Sequence, residues 1–146
     1  MTLAAIARLG LAGERVRIET GPDIGRALER VRAARAEALY VVFEGGTVAD
    51  NRTAIAEFGL RQRLPVVSGW SLLTDAGALL SYAPDIPAMF RRSAYYVHRI
   101  LDGASPRDLP VEQASTVEMV INMHTAKALG IAVPQSLLLR ADRIIQ

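Results

Sequence analysis

Ala38-Leu39-Tyr40-Val41-Val42-Phe43 is an unbroken apolar run, bounded by Glu37 on one side and by Glu44-Gly45-Gly46 on the other. It shows no polar alternation, so it reads as a strand covered on both faces, as in a parallel sheet flanked by helices. Upstream, Ile24, Ala27, Leu28 and Val31 recur at i, i+3, i+4 and i+7 and predict a helix running to about Arg35. The turn Thr20-Gly21-Pro22-Asp23 leads into it, with Asp23 near the positive end of the helix dipole. Before that turn, Val16-Arg17-Ile18-Glu19 alternates as a half-buried strand should. Leu3, Ile6, Ala7 and Leu9 mark a short opening helix closed by Gly10.

Downstream the cycle repeats. Residues Val48 to Arg63 predict a second amphipathic helix with Ile55, Phe58 and Gly59 inward, and Leu64-Pro65-Val66-Val67-Ser68 a short buried strand. Pro65 stands at its beginning, where a missing N–H is tolerable. Ser71 to Asp75 forms a helical turn ended by Gly77, and Ala78-Leu79-Leu80-Ser81-Tyr82 is a further strand closed by Ala83-Pro84-Asp85. A long helix from about Ile86 to Leu101 is capped by Gly103. Then come a linker, Ala104 to Pro110, an extended segment, Val111 to Asn122, a helix ending at Leu129-Gly130 and another beginning near Pro134. Strand and helix alternate at least three times before residue 85. The predicted class is therefore α/β, a Rossmann-like three-layer sandwich with a mainly parallel sheet and right-handed crossovers.

Composition narrows the function. The 146 residues are 51% hydrophobic and 22% charged, which fits one folded domain and excludes a disordered chain. Zero cysteines exclude a disulfide scaffold, a cysteine nucleophile and a thiolate metal site. Seventeen basic residues oppose fifteen acidic ones, and sixteen of the seventeen are Arg. Arg26, Arg30, Arg32 and Arg35 are interleaved with Asp23, Glu29 and Glu37, the pattern of a solvated helix face, so no nucleic-acid partner is expected. The apolar opening MTLAAIARLGLAG is interrupted by Arg8 and has no charge ahead of the apolar run, so it is not read as an export signal. No stretch approaches the ~18 apolar residues of a membrane span.

In an open α/β sheet, ligands sit outside the carboxyl ends of the strands. Those ends are Glu44-Gly45-Gly46-Thr47, Ser68-Gly69-Trp70-Ser71 and Tyr82-Ala83-Pro84-Asp85. Hydroxyls and carboxylates beside glycine or an aromatic ring suit a small polar-plus-apolar ligand; the same residues also make ordinary turns. Trp70, the single tryptophan, reads first as a core or interface filler, and its place at a strand's carboxyl end brings a stacking role closer. Catalytic patterns fail. Gly69-Trp70-Ser71-Leu72-Leu73 lacks the second glycine of a nucleophile elbow, and neither phosphate-cradling glycine loop is present. His98 and His124 have no second ligand at metal spacing, and Asp50, Asp75, Asp85 and Asp102 stand where helix caps would. Asn51-Arg52-Thr53 is a formal glycosylation sequon inside a predicted helix. No cofactor, metal or catalytic residue is expected.

Several longer stretches carry a resemblance. They are Arg63-Leu64-Pro65-Val66-Val67, Gly77 to Asp85, Arg91-Arg92-Ser93-Ala94-Tyr95-Tyr96-Val97 and Ile100-Leu101-Asp102-Gly103-Ala104. The most specific group is Asp108-Leu109-Pro110-Val111-Glu112-Gln113 with Val120-Ile121-Asn122 and Thr125-Ala126-Lys127-Ala128-Leu129-Gly130. Over most of residues 38–146 the chain resembles the solute-binding proteins of ABC importers with a type I periplasmic-binding-protein fold, in the subgroup linked to tryptophan or tyrosine uptake.

The resemblance implies one lobe of a two-lobed clamshell, the distal part of a longer protein, with residues 1–83 as lobe core. Residues 84–110 would form a hinge-crossing helix and linker, and 111–146 a return strand and C-terminal helices. It implies an extracytoplasmic setting, a permease partner and a small amino-acid-like ligand, aromatic amino acids among them. If the chain is the whole gene product, the lack of an export signal implies the cytoplasm instead. Ligand-facing side chains would come from Glu44 to Asn51, Ser68 to Trp70 and Tyr82 to Asp85, namely Glu44, Thr47, Asn51, Ser68, Trp70, Tyr82 and Asp85. The 86–101 helix would lack a lobe to cover its apolar residues, which implies a homodimer through that helix, swapped through the Ser105-to-Pro110 linker. Two readings compete: a stand-alone flavodoxin-like interaction or regulatory domain that binds no ligand, and a small hydrolase or nucleotide enzyme, against which the absent motifs speak.

Overall fold

The structure, a computed structural model, describes residues 3–18, 23–42, 46–113 and 116–146. In chain order its elements are α1 (Leu3–Arg8), α2 (Ile24–Ala33), β1 (Leu39–Val41), α3 (Gly46–Asp50), α4 (Arg52–Gln62), β2 (Val66–Ser68) and α5 (Ser71–Asp75). There follow β3 (Leu80–Pro84), α6 (Ile86–Leu101), a single 3-10 turn at Pro106–Asp108, β4 (Val117–Asn122), α7 (Met123–Leu129), α8 (Gln135–Leu138) and β5 (Arg143–Ile145). The five strands form one sheet in the order β1-β2-β3-β4-β5. Three of its four pairings are parallel; β3 and β4 run antiparallel. This is the expected three-layer α/β fold with a mostly parallel sheet.

Register assigns the two faces. Leu39 pairs with Val66 and Val41 with Ser68, which pairs with Ser81, so Leu39, Val41, Val66, Ser68 and Ser81 share one face. Over that face lies a core of Val41, Val48, Ile55, Val66, Leu73 and Ala78, with Ile24, Leu39 and Trp70 at its edge. A smaller cluster of Val31, Phe58 and Leu64 holds α2 against α4. In α4, Ile55 thus serves the first cluster and Phe58 the second. Gly59 makes this close packing possible: a Cβ there would lie 2.4 Å from Val66 Cγ2 and 3.0 Å from the Leu64 carbonyl oxygen. In β4, Met119 to Asn122 are all buried, so the strand is covered on both faces.

Local signals were read well where they were periodic or glycine-capped. Among the described residues α1, α2, α5, α6 and α7 form as expected, and Gly77 adopts φ +115°, a conformation that ends α5 and that other residues rarely take.

Four expectations are corrected. Val16–Ile18 is not a strand; Val16 packs beside the Val31–Phe58–Leu64 cluster, so its alternation reports one-sided burial in a loop. Glu19 lies outside the described residues, as do the turn residues Thr20 to Pro22. The 48–63 helix is two helices broken at Asn51, whose Nδ2 donates to the Thr47 carbonyl at 2.8 Å and closes α3. The third strand runs from Leu80 to Pro84, not from Ala78 to Tyr82: the Ala78 amide turns back to the Leu73 carbonyl of α5, and pairing with β2 starts only where the Leu79 amide donates to the Val66 carbonyl. Residues 111–113 are exposed irregular chain, and the extended segment pairs only from Val117. A short β5 beside β4 was not anticipated.

Candidate functional site

Because β1, β2 and β3 are parallel, their carboxyl ends open on one edge of the sheet. Val41, Ser68 and Ser81 stand level, and β3 runs on through Tyr82, Ala83 and Pro84. Antiparallel β4 begins at the same edge, with Val117 opposite Pro84, and the Asp85 amide donates to the Thr116 carbonyl at 3.0 Å. Four chain segments therefore converge there.

Each anticipated side chain can be located except Glu44, which lies outside the described residues. Thr47 is half-buried in α3, and the amide of Asn51 is turned back onto its carbonyl. Ser68 is buried, and its Oγ accepts the Trp70 amide at 3.0 Å, which tightens the turn after β2. Trp70 is half-buried at the head of α5, its ring against the main core. Asp85 caps α6: Oδ1 accepts the Ala88 amide at 2.8 Å, and Oδ2 lies 3.8 Å from Arg91. Tyr82 is 57% exposed on the face opposite the core. Ser68, Trp70, Tyr82 and Asp85 thus lie along one edge of the sheet, Ser68 and Tyr82 on opposite faces, and the polar atoms of Ser68, Asn51 and Asp85 are engaged in shaping their own turns.

Two features escaped the sequence reading. Tyr40 shares its sheet face with Tyr82, since Tyr40 pairs with Val67 and Val67 with Leu80. Its hydroxyl stands where a Cβ on Gly69 would come within 3.4 Å, so glycine there leaves room for the ring. Both tyrosines are partly exposed, as is Val42. The alternation of a strand would have placed Tyr40 and Val42 together; only the register relates them to Tyr82.

The second feature is a groove of ≈ 380 Å³ between α6 on one side and Glu112, Gln113 and Thr116 on the other, lined also by Asp85, Met89 and Tyr96. Arg92 closes one side. Its Nε and Nη2 donate to the two carboxylate oxygens of Glu112 at 2.8 and 2.5 Å, and its guanidinium lies 4.2 Å from the Tyr95 ring centroid. The Tyr96 hydroxyl donates to the Pro110 carbonyl at 3.0 Å. The Arg92 hydrogen bond holds Glu112 below the usual carboxylate range, while loss of hydration raises Tyr96. A depressed carboxylate contributes stability above its unfolded pKa and loses it as pH falls through its folded pKa. Glu112→Gln should therefore flatten the fall in Tm as pH drops through and below the ordinary carboxylate range, and leave the neutral-pH helix content unchanged. An unchanged acid limb would show that the pair is idle. Among the described residues no group of three His, Asp or Glu is placed to hold a metal ion, and no helix is long and apolar enough to cross a membrane.

The family model described as ABC transporter substrate binding protein matches residues 1–145. The chain belongs to the ABC transporter substrate-binding family. Two solved structures are similar over almost all of it. One is a conserved domain protein from Vibrio cholerae, with TM-score 0.87 and 26% identity over 97% of this chain. The other is an ABC domain from Streptococcus pneumonia in complex with L-Trp, with TM-score 0.88 and 25% identity over 98%. A ligand-free, open substrate-binding protein from Clostridium difficile shares the fold, with TM-score 0.67 and 19% identity over 98%. No curated protein sequence matches significantly. The chain spans about half the length of these solved structures, 47%, 48% and 47% in turn. Its sheet corresponds to one lobe of a periplasmic-binding-protein fold.

Proposed function

We propose that this chain is the distal lobe of a non-catalytic solute-binding component of an ABC importer, and that it grips a small amino-acid-like ligand at the carboxyl ends of β1, β2 and β3. The observation that carries the reading is the near-complete overlap with a relative whose structure holds L-Trp, at TM-score 0.88 over 98% of this chain. The local chemistry supports it. Tyr40 and Tyr82 supply aromatic surface on the sheet face away from the core and Trp70 beside the core, and Thr47, Asn51 and Asp85 supply polar groups at the same edge, the last two while also closing their own turns. An aromatic amino acid presents one apolar ring and two charged groups, which matches a pocket with aromatic walls and a polar rim.

On this reading residues 1–83 are the lobe core, 84–110 a hinge-crossing helix and linker, and 111–146 the return strand and C-terminal helices. Closure between lobes would present a surface to a permease, outside the cytoplasm.

Thermal denaturation with L-tryptophan, L-tyrosine and L-leucine, each at millimolar concentration, tests the proposal. A ligand that binds only the folded chain raises Tm, by about 2.7 kcal/mol of added stability at a hundredfold excess over Kd. The expected result is a shift with the aromatic amino acids that Tyr82→Ala abolishes, without a change in Tm of the free protein, since Tyr82 is more than half exposed. No shift with any of the three would favour the stand-alone interaction domain.

A further inference from the structure

Helix α6 and the chain that returns from it take no share in the core. No residue from Ile86 to Gln113 is buried, so apolar packing does not fix how this part is held together. The chain turns back after α6 at Gly103, whose φ is +96°, and residues 104–113 then pass beside the helix in the opposite direction. Two side chains bridge the pair. The Arg92 guanidinium meets the Glu112 carboxylate through two hydrogen bonds, 20 residues apart in sequence, and the Tyr96 hydroxyl reaches the Pro110 carbonyl, 14 residues away. Arg92 and Tyr96 are one turn apart, about 6 Å along the axis, and their partners are two residues apart, a span of about 7 Å at most. The two contacts therefore fix register as well as distance. At the base of the pair, the Asp85 amide donates to the Thr116 carbonyl at 3.0 Å, next to the pairing of Pro84 with Val117.

We infer that Arg92 and Glu112 are the clasp that makes residues 86–113 one stiff arm, which pivots as a unit about the crossing at Asp85 and Thr116. Three observations carry this. The pair has the fork geometry, two N–H groups on two carboxylate oxygens at 2.8 and 2.5 Å, which sets it apart from the ordinary exposed ion pair that contributes little. The guanidinium is also held before it meets the carboxylate: it lies 4.2 Å from the Tyr95 ring centroid and 5.4 Å from that of Tyr96, and the two rings stand edge to face. Less side-chain freedom is then lost in forming the bridge. The other ion pairs of this part, Arg91 with Asp85, His98 with Asp102 and Arg107 with Asp108, join near neighbours in sequence and tie each piece only to itself. One consequence rests on the solute-binding reading: both crossings lie at the edge that carries Tyr82 and Asp85, so a swing of the clasped arm reaches Asp85 and Thr116 at once.

The clasp needs no ligand, so its test is run without one. Backbone relaxation by NMR should give order parameters of about 0.85 at the amides of Leu109, Val111, Glu112 and Gln113, falling below about 0.6 in Glu112→Gln and in Arg92→Lys. Lysine keeps the charge but has no fork, so it should not restore the order. The α6 amides and the circular dichroism should be unchanged in both variants, because neither side chain belongs to a core. Arg107→Lys alters a pair inside the loop and should leave the same amides ordered. Low order in the unaltered chain, unchanged order in the two clasp variants, or an equal fall in Arg107→Lys overturns the proposal. Order that the clasp variants lose, with no amino-acid thermal shift, would leave the clasp standing and remove the solute-binding reading; a thermal shift with low order at residues 109–113 would do the reverse.

Discussion

Leu73→Ala should lower stability by about 3–4 kcal/mol, the range for deleting a fully enclosed leucine that leaves a cavity. Leu73 is 0% exposed and lies among Val41, Val48, Ile55, Val66 and Ala78, contributed by four different elements and the turn after α5. Collapse around the gap is restrained because Ala78 donates to the Leu73 carbonyl at 2.8 Å and the sheet lies beneath. A domain of this size loses about 3 °C in Tm per kcal/mol, so a fall of roughly 10 °C is expected by calorimetry. Folded domains have about 5–15 kcal/mol in total, so the variant should remain folded at room temperature. The site should suffer as well: the Leu73 amide donates to the Trp70 carbonyl at 3.3 Å, and loosening α5 loosens the turn that carries Trp70. A loss below about 1 kcal/mol would mean that the core under α5 is not the main one.

Asn122→Ala is the second large effect, about 2–4 kcal/mol. Asn122 is 6% exposed and works in two directions at once. Its Oδ1 accepts the Thr125 amide at 3.1 Å and caps α7, while Nδ2 donates to the Thr74 carbonyl at 3.2 Å and ties β4 to α5. Alanine removes the cap on the Thr125 amide, costing about 1 kcal/mol, and the enclosed tie from β4 to the Thr74 carbonyl, which then keeps only the Gly77 amide, at about 1–3 kcal/mol. Asn122→Ser keeps an acceptor for the Thr125 amide and should recover the capping part alone. Urea unfolding of the three proteins separates the contributions, and equal stability of the Ala and Ser variants would sink the capping argument.

Much of the fold was legible because its signals are local. The apolar run at residues 38–43 announces β1, the i, i+3, i+4, i+7 spacing from Ile24 announces α2, and glycines at 77, 103 and 130 mark where helices stop. Failures occurred where local pattern and tertiary pairing part company. Val16 to Ile18 alternate like a strand, yet a strand needs a neighbour to take its backbone hydrogen bonds, and there Val16 packs into a helix-side cluster. Arg143-Ile144-Ile145 is too short to be read as an element, and becomes β5 because Val120 to Asn122 lie beside it. The break at Asn51 depends on one side chain turning back to its own helix, which composition does not reveal.

For the site, the sequence by itself determined where to look. Strands followed by Ser68-Gly69-Trp70 and Tyr82-Ala83-Pro84-Asp85 present those residues at or beside their carboxyl ends, where ligands of open α/β sheets gather. Likewise the apolar spacing of residues 86–101 made an amphipathic α6 inevitable, because helix periodicity is a property of the chain alone. Only the tertiary structure decided which of these groups are committed. It showed Ser68, Asn51 and Asp85 bonded into their own turns, set Tyr40 on the same face as Tyr82, and joined Arg92 to Glu112 across twenty residues. It also left α6 without a buried residue. These facts depend on strand register and on contacts between distant segments, and no short-range pattern in a chain encodes either.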